Sequence, residues 1–187
     1  MNKTFSKTRI LVECALMVAL ATVLGFIPVY ELPRGGSVTL VSMAPILLVS
    51  HRHGVKWGVL TAFVHSLIQL MLGIKNLAWC QTFGAVVGCI LLDYVLAFSL
   101  LGLACVFAKP FKNRLLGVAV GSAVVCLIRF LCSFLSGVLI WGNLSDGLPT
   151  WTYSLGYNAS YMLPETVLTV VAVVLLHKAA PKLFQQQ

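Results

Sequence analysis

From Leu115 to Trp141 the chain reads LLGVAVGSAVVCLIRFLCSFLSGVLIW, with one charge, Arg129, near its middle. A helix needs about 20 apolar residues to cross the hydrocarbon core of a bilayer. This stretch is long enough, and it predicts a membrane-spanning helix.

The rest of the chain repeats the pattern. Of its 187 residues, 59% are hydrophobic and only 10% are charged, against about 25% charged in an ordinary soluble domain. So few polar residues cannot cover a water-exposed surface. Apolar runs place six spans at about 10–27, 38–50, 55–72, 78–107, 115–141 and 154–177. The fourth is too long for one straight crossing, so part of it should tilt or lie outside the core. No repeat or linker divides the chain. The expected fold is an all-α integral membrane bundle of six transmembrane helices in a single domain, 1–187. Lys3, Lys7 and Arg9 precede the first run as in a signal peptide, but the run is long, contains Glu13 and precedes no small-residue cleavage site, so it reads as a retained helix. The polar tail at 185–187 should fray.

The formal net charge is +8. A nucleic-acid partner is rejected, because the basic residues sit in short loops between apolar stretches. With the N-terminus in the cytoplasm, the inner segments carry Lys3, Lys7, Arg9, Arg52, Lys56, Lys109, Lys112, Arg114, Lys178 and Lys182, and the outer loops only Arg34 and Lys75. That asymmetry predicts cytoplasmic termini and a cell-membrane location. The outer loops PVYELPRGGSV and GNLSDGLPTWTYS are rich in turn formers; the inner ones, HRHG and KPFKNR, read as interfacial anchors. Cys14, Cys80, Cys89, Cys105, Cys126 and Cys132 form no CxxC pair and read as small lipid- or helix-facing residues.

Ionisable residues inside a membrane are costly and usually functional. Four qualify. Asp93 and Arg129 fall at similar depths in the fourth and fifth spans, where they could pair as helix glue. Glu13, near an inner end, could snorkel to the interface. Glu165 shares a helical face with Asn158 and Tyr161, at i, i+3 and i+7. Pro164 beside it frees a carbonyl. Trp141, Trp151, Tyr153 and Tyr157 gather at the outer end. They form either an interfacial aromatic belt or an aromatic box over a carboxylate floor, suited to a cationic or aromatic solute. Ala15 and Ala19 form a small-xxx-small pattern that permits close helix approach. His51, His53, His65 and His177 form no catalytic set, and no metalloprotease, nucleophile-elbow or nucleotide-binding motif occurs. No enzyme, metal site or cofactor is expected, and any pumping must draw energy from a partner.

Several segments together resemble the ThiT (YuaJ) family: LPRGGSV, MAPI, LLDYVLAFSLLG, SGVLIWG and WTYSLGYNASYMLP, over most of the chain. Members are thiamine-specific S components of energy-coupling factor transporters. The resemblance implies six helices, a substrate pocket near the outer face, and a partner module of one transmembrane scaffold subunit and two cytosolic ATPases. It implies ligand contacts at Asp93, Tyr94, Gly137, Trp141, Tyr153 and Asn158, and scaffold contacts at Ala15 and Ala19. Ser133 stands where members commonly carry a histidine, loop 1 lacks a tryptophan found in some, and Glu165 adds a carboxylate. With Tyr161 these complete the candidate site. Thiamine is the expected ligand; the alternatives are a thiamine precursor or related cationic heteroaromatic, or a non-transporting membrane scaffold.

Overall fold

The computed structural model describes residues 7–32, 36–145 and 147–184. Pro33, Arg34, Gly35 and Asp146 of the two outer loops, Lys3 and the 185–187 tail lie outside the described residues.

Helix α1 (Lys7–Gly25) leads into a two-stranded antiparallel hairpin, β1 (Pro28–Glu31) and β2 (Ser37–Thr39), in which Tyr30 faces Val38 and Glu31 faces Ser37. The second span was expected to begin at 38; instead 37–39 belong to β2, and helix α2 (Ala44–Leu72) starts after it with a proline in its first turn. Proline fits there because a first-turn N–H has no helical partner. Between them Val41 adopts φ 54°, a strained conformation for a β-branched residue that surrounding contacts must hold.

α2 is two arms. Gly54 breaks it with φ 79° and ψ −171°, a region open to glycine. A Cβ placed on Gly58 would lie 2.9 Å from the Ser50 Cα, whereas eight residues of continuous helix would rise about 12 Å. The chain therefore folds back, and the arms 44–53 and 55–72 run side by side. The first arm is only about 15 Å long, half a bilayer core. Beyond its Ala44 end the bundle is left open, and the β1–β2 hairpin lies over that opening.

Helix α3 (Phe83–Ala108) begins where the Thr82 side chain accepts the Ala85 N–H at 3.1 Å. Residues 78–82 of the long fourth apolar run thus precede the helix, and the first two of them end a 3₁₀ turn at Ile74–Trp79. Within α3 the segment Ile90–Leu96 is a π-helix and Leu100–Leu103 is 3₁₀. Ser50 stitches the irregular part: its Oγ donates to the Gly102 carbonyl at 2.6 Å and accepts the Cys105 N–H at 3.1 Å. Helix α4 (Arg114–Leu139) is capped by Asn113, which accepts the Leu116 N–H. Helix α5 (Thr150–Ala179) starts four residues before the expected 154 and carries Pro164 within it.

The core packs Met43, just before α2, and Ile46 and Leu47 of its first arm against Ala97, Leu101 and Ala104 of α3 and Val125 of α4. Leu11, Val12, Leu16, Leu20 and Val23 of α1 are exposed, the face an apolar solvent would cover. Among the described residues, five helical stretches are long and apolar enough to cross a membrane, and α2 contains a return. The fold is a multi-pass helical membrane bundle with one small hairpin, which the sequence had suggested only as a loop.

At the Gly54 end, Glu13 does not simply reach for the interface. It pairs with Arg52 Nε at 2.6 Å and His53 Nε2 at 3.2 Å. Arg52 also donates to the carbonyls of Lys182 and Leu183, and Arg114 to that of Phe184. The Phe184 ring is buried beside His51 and His177. These contacts close that end. Cys14, Cys89, Cys105, Cys126 and Cys132 are buried in the bundle, and all six cysteines are free thiols.

Candidate solute-binding cavity

A cavity of about 1180 Å³ opens beyond the short first arm of α2, between the hairpin and α3, α4 and α5. Small-molecule sites are typically roughly 300–1,000 Å³. Asp93, Tyr94, Ser133, Gly137, Trp141, Tyr153, Asn158, Tyr161 and Glu165 all line it.

Asp93 sits on the π-helical turn of α3. Such turns displace side chains from the regular helical register and recur at functional sites. One of its oxygens, Oδ2, accepts three bonds: from Ser136 Oγ at 2.6 Å, Trp141 Nε1 at 3.2 Å and Cys89 Sγ at 3.4 Å. The other, Oδ1, has no hydrogen-bond partner among the described residues. A carboxylate this well supplied with donors on one oxygen is held in place with the second available to a ligand.

The remaining candidates divide by what holds them. Tyr94 donates to the Gly73 carbonyl at 3.1 Å and accepts from Asn76 Nδ2 at 3.2 Å, which fixes the 3₁₀ turn that borders the cavity. The Asn158 amide donates to the Ser133 and Ser154 carbonyls and accepts from Tyr161 at 2.9 Å; the bond to Ser133 joins α5 to α4, and the others stay within α5. Gly137 makes that junction close: a Cβ there would lie 2.1 Å from Ser154 Oγ. Tyr153, Tyr157 and Tyr161 form a ladder along α5, the first pair stacked at 5.9 Å and the second edge-on at 5.7 Å. Trp151 is exposed and does not line the cavity.

At the other pole lies a second charged group. Glu165 is 2% exposed. Its Oε1 accepts from Thr39 Oγ1 at 2.6 Å and its Oε2 lies 3.9 Å from Arg129 Nη1. Arg129 also contacts Met43 Sδ at 3.2 Å and stands 4.5 Å over the Phe98 ring. The Asp93–Arg129 pair that depth allowed does not form among the described residues; Arg129 turns to Glu165 instead.

Sequence reasoning missed Thr39, Ser42, Gln69, Asn76, Cys89 and Ser136, which line the cavity or bond its carboxylates. The only available signal was Ser133, Ser136 and Gly137 at i, i+3 and i+4, a small polar stripe on one face of α4. Ala15 and Ala19 are exposed on α1, away from the cavity, and Ala15 borders a small apolar groove against Leu60 and Val64 of α2.

A multi-pass helical bundle around a polar, aromatic-walled cavity with a poised carboxylate defines a membrane protein built to hold a small solute. The chain belongs to the thiamine transporter protein (Thia_YuaJ) family, which it matches over residues 11–185. It is 33% identical to the thiamine transporter ThiT of Bacillus subtilis, across 99% of this chain and 98% of that one. It is 29% identical to ThiT of Lacticaseibacillus paracasei, across 94% and 90%. The fold is shared with a solved structure of ThiT from Listeria monocytogenes, with a TM-score of 0.77 at 24% identity, covering 96% of this chain and 98% of that one. The class is one of transporters, not enzymes.

Proposed function

We propose that this chain binds thiamine in the cavity and delivers it across the cell membrane as the substrate-binding subunit of an ATP-driven importer. The observation that carries the reading is Asp93: fixed through Oδ2 by Ser136, Trp141 and Cys89, it offers Oδ1 to the cavity. An aminopyrimidine presents an amino donor that a carboxylate oxygen accepts in a charge-assisted bond. The cationic thiazolium suits aromatic faces, and Trp141, Tyr153 and Tyr157 border the same space. Tyr94, Gly137, Ser133, Asn158 and Tyr161 shape the walls.

The orientation follows the charge asymmetry: both termini in the cytoplasm and the hairpin outside. The chain holds no nucleotide-binding motif, so a scaffold subunit and two cytosolic ATPases supply the energy, with Ala15 and Ala19 on the exposed face of α1 meeting the scaffold. Cells without other thiamine uptake should accumulate labelled thiamine when this chain and such a module are expressed together, and not with either alone. Uptake by the chain alone would point to an autonomous carrier.

A second reading keeps the class and changes the ligand to a thiamine precursor or a related heteroaromatic cation. Ser133 favours it, because a hydroxyl cannot stack against a ring as the histidine common at that position can. Competition by the separate pyrimidine and thiazole precursors distinguishes the two.

A further inference from the structure

We propose that Glu165 is a positioning residue: through Thr39 it latches the β1–β2 hairpin to α5 and so sets how long a ligand stays in the cavity. The inference rests on the reading that the cavity holds thiamine. Glu165 is buried, and both of its oxygens are engaged inside the protein, Oε1 by Thr39 and Oε2 by Arg129. Its chemistry is therefore directed at the hairpin before any ligand.

Thr39 has one hydroxyl proton. Thr39 Oγ1 lies 2.6 Å from Glu165 Oε1 and 2.7 Å from Ser42 Oγ. A carboxylate can only accept, so Thr39 donates to Glu165 and Ser42 donates to Thr39. The resulting relay runs from the start of α2 through β2 to α5 and ends on a charge. Bonds to ionised acceptors are roughly twice as strong as neutral ones, and a neutral glutamine could not supply that strength. Arg129 offsets the cost of burying the carboxylate.

The hairpin needs such an anchor. A two-stranded hairpin is marginal by itself, all four residues of β1 are exposed, and Val41 beside β2 is strained. A second tie exists at the tip, where the Gly36 N–H donates to Tyr157 Oη at 3.0 Å. That acceptor is neutral, so the Thr39–Glu165 bond is the stronger hold. Leu32, Gly36, Ser37 and Thr39 of the hairpin line the cavity, and freeing the hairpin opens that wall.

The test is the rate of thiamine release from the full-length detergent-solubilised protein, followed by tryptophan fluorescence in stopped flow. Thr39→Val removes the donor and leaves the Glu165–Arg129 pair, so it avoids an uncompensated buried charge. It should speed release about tenfold with association altered less than about twofold, as expected for loss of one hydrogen bond to a charge. Thr39→Ser keeps the hydroxyl and should release as the native protein does. In a Glu165→Gln background, where the amide oxygen accepts from Thr39 only as a neutral group, Thr39→Val should add less than it does in the native protein. Unchanged release in Thr39→Val, or effects that multiply in full in the double variant, would overturn the latch; faster release in Glu165→Gln with none in Thr39→Val would assign Glu165 to the ligand instead. Hydrogen exchange in residues 28–40 without ligand gives an independent reading. Exchange should quicken in Thr39→Val and not in Thr39→Ser, and equal exchange in all would overturn the latch even if thiamine failed to bind.

Discussion

Asp93 is a carboxylate in an apolar bundle, and its surroundings account for its survival there. Three donors converge on one oxygen, which compensates much of the cost of removing the charge from water. Asp93→Asn keeps an acceptor for Ser136 and Trp141 but loses the charge facing the cavity. Thiamine affinity should fall about 10- to 100-fold, the equivalent of one charge-assisted bond, while the melting temperature in detergent changes little. Equal affinity would remove Asp93 from the site; a collapse in stability would make it structural. Asp93, Arg129 and Glu165 were legible in the sequence because each is a charge in an apolar run. Their pairing was not. Counting residues gives depth along a helix, and Asp93 and Arg129 fall at similar depths. The rotation of each helix decides which group a side chain meets, and it turns Arg129 toward Glu165. Thr39 and Ser42 were invisible because isolated hydroxyls next to a loop are common.

At the scale of elements, the site depends on helices that stop early or pack unusually close. The first α2 arm, 44–53, is too short to cross a bilayer and so leaves the cavity above it. Gly54 permits the return. Gly54→Ala forces a side chain into φ 79° and ψ −171° and should cost about 1–3 kcal/mol, a drop in melting temperature with thiamine affinity retained. Gly137 matters differently. A methyl there collides with Ser154, so Gly137→Ala should destabilise α4 against α5 by about 1–3 kcal/mol and weaken binding. Adding Ser154→Ala should restore part of both, and melting curves of the two variants check it. The long helices were legible from apolar run length alone. The hairpin was not, since strands of four and three residues are too short to show alternation, and its Gly-Pro content reads equally as loop. The π turn around Asp93 left no mark in composition, because its residues are as apolar as the α-helix flanking it.

For the whole molecule, the family, the membrane class and the cavity describe one device: an apolar exterior for lipid, a closed Gly54 end, and a polar chamber at the hairpin end. The proposed orientation, with the Gly54 end in the cytoplasm, rests on the concentration of Lys and Arg at that end. A reporter that fluoresces only in the cytoplasm should light up when fused after Gln187, and one active only outside should stay silent. The reverse pattern would invert the orientation and the direction of loading.

The most direct test of the central claim is an equilibrium titration of the purified protein with thiamine, read by its own tryptophans. Trp141 and Trp79 both line the cavity, so a stacked ring there should quench them. Saturable quenching at submicromolar thiamine, lost in Asp93→Asn, is the predicted result. No saturation by thiamine at concentrations far above that range would contradict the account.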